Sequence, residues 1–62
     1  MNVNELIERV NKCLEEVEIP ITKFCKKFHL STTAFYRWRR GDLDISRERL
    51  HEIDAFLTKL NY

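Results

Sequence analysis

Apolar residues recur along this chain at steps of three and four, the period of amphipathic helices packed on a common core. Leu6, Val10, Cys13, Leu14 and Val17 form the first such stripe, and Glu5, Glu8, Arg9, Lys12, Glu15 and Glu16 take the wet face. Asn2 followed by Glu5 reads as an N-cap with a capping-box acid, and Met1 and Leu6 hold the positions of a hydrophobic staple. A first helix is therefore expected from near Val3. Pro20 disfavours helical geometry at Ile19 but suits the first turn of a new helix. From there Ile21, Phe24, Cys25 and Phe28 predict a short second helix, with Lys23, Lys26 and Lys27 on its other side.

The pattern shifts at His29-Leu30-Ser31. Ser31 is a good N-cap for a third helix, and His29 falls in a turn, where positive φ is often needed and His tolerates it better than most residues. In that third helix Ala34, Phe35 and Trp38 point one way. Thr32, Thr33, Tyr36, Arg37 and Arg40 form a polar stripe on the other, and Gly41 is the stop signal. Asp42-Leu43-Asp44 is a polar connection. Ser46 caps a last helix whose apolar stripe is Leu50, Ile53, Phe56, Leu57 and Leu60, with Ile45 and Leu50 spaced for a second staple. Four helices with short connections exhaust the 62 residues, so the expected fold is a compact all-α, four-helix domain spanning residues 1–62.

Charge changes the picture. Residues 23–40 carry six bases and no acid. Residues 1–22 carry five acids against two bases, and residues 41–62 five acids against three, so a net charge of +1 conceals a polarised molecule. A basic segment with interleaved aromatics (Phe24, Phe28, Phe35, Tyr36, Trp38) reads as an electrostatic footprint for a polyanion. The aromatics at helical spacing are core; Tyr36, on the polar stripe, is the exception.

The remaining composition narrows the function classes. With 44% hydrophobic residues, one Gly and one Pro, the chain reads as folded rather than disordered. No apolar run approaches a membrane span and the first residues lack a signal-peptide pattern, so a cytoplasmic protein without membrane contact is expected. Cys13 and Cys25 are too few for a disulfide framework. Cys25 and His29, with Cys13 and His51, could supply metal ligands, but no C-x-x-C or H-x-x-x-H knuckle accompanies them. No metal or other cofactor, no small-molecule substrate and no enzymatic activity are expected.

The run IPITKFCKKFHLSTTAFYRWRRG, residues 19–41, resembles the helix-turn-helix of the Cro and lambda-repressor-like family, with the motif at about residues 20–41. Cys25 matches the small residue inside the first motif helix, His29 the turn position that is usually Gly, and Phe35 and Trp38 the apolar positions of the second. Arg40-Gly41 closes the motif. The resemblance implies sequence-specific binding of double-stranded DNA by a small repressor of phage or mobile-element type, acting as a homodimer on a palindromic operator. It implies base reading from the start and outer face of the third helix. Thr32, Thr33, Tyr36 and Arg37 are the base-reading candidates, and Lys23, Lys26, Lys27, Ser31 and Arg40 are the candidates for phosphates.

The chain also departs from the family. Ile21 stands where many members carry a phosphate-contacting Gln, a place Lys23 or Lys26 could fill. Arg39 stands where an acid pairing with the first helix is common, which suggests a reversed pair with Glu15, Glu16 or Glu18. Leu50, Ile53, Leu57 and Leu60 could serve the core, a dimer seam or both. The alternative class is a protein-interaction module of the same fold that uses Tyr36, Arg37 and the bases to dock an acidic protein partner, or to inhibit one.

Overall fold

A computed structural model describes all residues from Met1 to Tyr62 and contains four helices, α1 (Val3–Val17), α2 (Ile21–Lys27), α3 (Thr32–Arg40) and α4 (Arg47–Lys59), with no strand. Its radius of gyration is 10.5 Å, the value expected of a compact chain of this length. None of the helices is long and apolar enough to cross a membrane.

Three of the helices start at side-chain caps that the sequence predicts. Asn2 Oδ1 accepts from the Glu5 N–H at 3.1 Å, Ser31 Oγ from the Ala34 N–H at 3.0 Å, and Ser46 Oγ from the Arg49 N–H at 3.3 Å. Each satisfies one of the donors that a helix start leaves orphaned. α2 has no side-chain cap, and the Pro20 carbonyl instead accepts from the Lys23 and Phe24 N–H groups. Met1 remains 61% exposed, so the expected staple to the buried Leu6 covers little of it.

All four helices end the same way. A residue in the left-handed region, Glu18, His29, Gly41 or Asn61, reverses the chain, and the next N–H returns to the carbonyl five residues back. These bonds run from Ile19 to Leu14 (3.2 Å), Leu30 to Cys25 (2.9 Å), Asp42 to Arg37 (2.8 Å) and Tyr62 to Leu57 (2.8 Å). This is the Schellman arrangement, which satisfies carbonyls the helix cannot. Only one of the four reversing residues is glycine, so the other three accept positive φ at some steric cost.

The core consists of Leu6, Val10, Cys13 and Leu14 from α1, Phe24 and Cys25 from α2, Phe28 from the turn that follows α2, Phe35 and Trp38 from α3, and Ile53 and Leu57 from α4. Phe24 lies at its hub, with ring centroids 4.9 Å from Phe28, 5.5 Å from Phe35 and 6.3 Å from Phe56. Two positions of the expected stripes are not core. Val17 is 45% and Leu60 38% exposed, because Val17 is the last residue of α1 and Leu60 the cap just past α4, beyond the neighbour that covers the rest of each stripe. Ile53 and Leu57 are wholly buried within this one chain, so the α4 stripe is spent mainly on the core.

Two arginines tie the helices together. Arg9 on α1 donates from Nη1 to Asp54 Oδ1 (2.5 Å), from Nη2 to Thr58 Oγ1 (3.2 Å) and from Nε to the Tyr62 carbonyl (2.9 Å). It is therefore a partly buried clasp between α1 and the end of the chain, not the wet-face residue its spacing suggests. Arg49 donates from Nε to the Phe28 carbonyl (3.0 Å), which fixes the start of α4 against the end of α2.

Candidate nucleic-acid interface

α3 separates its side chains cleanly. Phe35 and Trp38 are buried, and Thr32, Thr33, Tyr36, Arg37 and Arg40 are all exposed. Phe35 packs on Phe24 and Trp38 on Phe35, so the polar stripe is presented by a helix that cannot roll without exposing an indole and a phenyl ring. Ser31 caps this helix; its oxygen accepts from Ala34, which leaves its O–H free to donate. Tyr36 is 42% exposed, with its ring edge-on to Phe35 at 5.9 Å.

The arginines of α3 divide into two kinds. Arg37 and Arg40 converge on Asp42 just past the helix: Arg37 Nη2 reaches the Asp42 carbonyl at 3.5 Å, and Arg40 Nε the Asp42 carboxylate at 3.3 Å. Both Arg40 and Asp42 are more than half exposed, so this ion pair is weak and open to exchange for another anion. Arg39 behaves otherwise. Its guanidinium lies over two rings, 5.4 Å from the centroid of Phe35 and 5.1 Å from that of Tyr36. The reversed ion pair considered for Arg39 does not form: it shares a shallow recess with Glu15 and Ile21, but no carboxylate of α1 comes within salt-bridge distance. The stack wins because Tyr36 and Phe35, three and four residues back, lie on either side of Arg39 one turn away, within reach of its guanidinium.

The lysines of α2 have a different setting. Lys23, Lys26 and Lys27 are exposed, and all three line an open recess of about 650 Å³ together with Val17, Ile19, Pro20, Phe24 and Phe56. No residue of α3 takes part. Ile21 is half-buried and packs against the core, so it offers nothing polar to a ligand. The structure thus brings Ser31, Thr32, Thr33, Tyr36, Arg37 and Arg40 together on α3, and sets Lys23, Lys26 and Lys27 on a separate feature.

The two thiols are withdrawn from solvent. Cys13 and Cys25 are buried free thiols; burial pushes both pKa values up, and the Glu16 carboxylate adds to the effect at Cys13. His29 sits exposed in the α2–α3 turn at φ 56°, in the conformation expected of a turn residue. No three His, Cys, Asp or Glu side chains are grouped so as to hold a metal ion. Comparison of the chain with known protein families, with characterised proteins and with solved structures gives no match.

Proposed function

We propose that this protein binds double-stranded DNA in a sequence-specific manner through the exposed face of α3, as a small cytoplasmic transcriptional repressor of the Cro and lambda-repressor-like kind. The observation that carries this reading is the composition of that face. Thr32, Thr33, Tyr36 and Arg37 are exposed together on a helix whose opposite side is locked by Phe35 and Trp38, within a segment that has no acid from Lys23 to Arg40. A major groove admits one helix, and these side chains match what it displays: guanidinium for guanine, hydroxyls for mixed edges, methyl and ring surface for thymine. The helix-turn-helix reading is supported by the four-residue connection between α2 and α3, buried Cys25 and left-handed His29.

Arg37 is assigned to base readout, with Thr32, Thr33 and Tyr36 setting its context. Ser31 and Arg40 flank it for phosphates, Arg40 by exchanging Asp42 for the backbone. Lys23, Lys26 and Lys27 are assigned to phosphates from the neighbouring helix. One copy offers about three to five phosphate neutralisations, too few for tight binding at physiological salt, so two copies on a palindrome are proposed, their α3 helices about 34 Å apart.

Selection of bound duplexes from a random pool, followed by titration of the selected site at two salt concentrations, tests the reading. Enrichment of a palindrome and affinity that falls steeply with salt are expected. Failure to enrich any motif, or one copy bound per site at saturation, would contradict specific readout or the dimer respectively.

A further inference from the structure

The recess beside α2 combines an apolar floor with a basic rim, and no ion pair or hydrogen bond within the protein uses the rim. Val17, Ile19, Phe24 and Phe56 form the floor. Val17 continues the core stripe of α1 but is 45% exposed, since α1 ends at left-handed Glu18 and nothing covers its last turn. Lys23 and Lys27 stand on the rim beside Lys26. None of the three has an ion-pair or hydrogen-bond partner, and Lys27 Nζ sits 5.1 Å above the Phe56 ring. Glu18 is the single acid at the recess.

Two properties of the recess decide what fits it. Unpaired lysines favour a ligand that carries several negative charges. Exposed Val17 and half-buried Phe56 favour one that also brings apolar side chains, which a nucleic-acid backbone lacks. We propose that this recess is a docking groove for an acidic amphipathic peptide segment of a partner protein. Apolar side chains spaced along one face of the segment seat on Val17, Ile19 and Phe56, and flanking carboxylates meet Lys23, Lys26 and Lys27. The groove lies off α3 and does not depend on the DNA-binding reading, but the same lysines contribute to the field that attracts DNA. An acidic segment bound here therefore lowers affinity for duplexes.

The test is a fluorescence titration of the full chain with the acetylated, amidated synthetic peptide EELEELLEEFEE. Its apolar residues share one helix face. The controls are a permuted peptide of the same composition without such a face, and dodecanoate as an anionic amphiphile without a peptide backbone. Saturable binding is expected, with affinity about tenfold or more above that of the permuted peptide. Backbone amide shifts should concentrate at Val17, Ile19, Lys27 and Phe56. Val17→Glu, a change at an exposed position, should weaken the peptide by about tenfold. Lys27→Glu, also at an exposed position, is a second variant that should weaken the peptide. Arg37→Ala should leave peptide affinity unchanged, so failure of the DNA reading is distinguishable from failure of the groove. Equal binding of the permuted peptide, undiminished binding by both Val17→Glu and Lys27→Glu, or binding of dodecanoate but not of the peptide would overturn the proposal.

Discussion

The guanidinium of Arg39 lies 5.1 Å from the centre of the Tyr36 ring, one turn back on the same helix. It also covers Phe35, so one side chain links a buried ring to an exposed one and holds Tyr36 against rotation. Arg39 is in this account a positioning residue, which can influence binding without touching DNA. Arg39→Lys keeps the charge and loses the planar stack. It should lower affinity for the cognate duplex by about two- to fivefold, leave affinity for a scrambled duplex unchanged, and leave the salt slope as it was. An equal loss on both duplexes in filter binding would make Arg39 another electrostatic contact.

Trp38 is 2% exposed and its indole N–H is buried without an acceptor, so its contribution is packing rather than hydrogen bonding. Trp38→Ala should cost about 3–5 kcal/mol, a large share of the roughly 5–15 kcal/mol typical of a domain. Trp38→Phe removes an unpaired donor at the price of a smaller void, and should cost less than about 2 kcal/mol. Urea unfolding of the two variants checks the order. A Trp38→Ala protein that keeps its stability and loses DNA binding would mean that α3 faces the other way.

The left-handed helix ends predict stabilising changes. Glu18 at φ 59° and His29 at φ 56° carry a steric cost that glycine does not, although glycine costs more backbone entropy. Glu18→Gly and His29→Gly should each gain up to about 1 kcal/mol in thermal or chemical unfolding. Ala at either position, which keeps the Cβ, should show no such gain.

Cys13 and Cys25 have folded pKa values above their ordinary thiol value, chiefly through burial. Burial thus favours the neutral thiols in the folded state. Their contribution to stability is complete below about pH 9 and is lost as pH rises through the higher folded values. The thermal midpoint should therefore fall on the alkaline side of pH 9, and less steeply in a Cys13→Ala, Cys25→Ala protein. Below that range a thiol reagent should react with the folded protein only as fast as it opens. Identical alkaline profiles for the two proteins would remove the thiols from the explanation.

Local rules made the caps at Asn2, Ser31 and Ser46, the turn at His29 and the two faces of α3 readable from the chain, since each depends on residues within one or two turns. Periodicity gave the direction of each apolar stripe but not where its neighbour stops, which is why Val17 and Leu60 are exposed. The Arg9 clasp joins residues 45 to 53 positions apart and had no local signal. The Arg39 stack did have one, in the aromatic residues three and four positions earlier. The lysine-rimmed recess was invisible because it depends on Phe56 of α4 lying beside α2 and the end of α1.

The central claim, that the exposed face of α3 reads base sequence, is tested most directly by affinities of the wild type, Arg37→Ala and Lys26→Ala for cognate and scrambled duplexes. Arg37 is exposed on the side of α3 opposite Phe35 and Trp38, held only by a 3.5 Å contact to the Asp42 carbonyl, so its guanidinium can turn to a guanine edge at small cost. Arg37→Ala should cost about 1–3 kcal/mol on the cognate duplex, relax preference at one base pair and leave the scrambled duplex nearly unaffected. Lys26→Ala should weaken both duplexes alike and reduce the salt slope by about one unit. If Arg37→Ala lowers affinity equally on both duplexes, Arg37 contacts phosphate only, and the face of α3 does not read sequence through it.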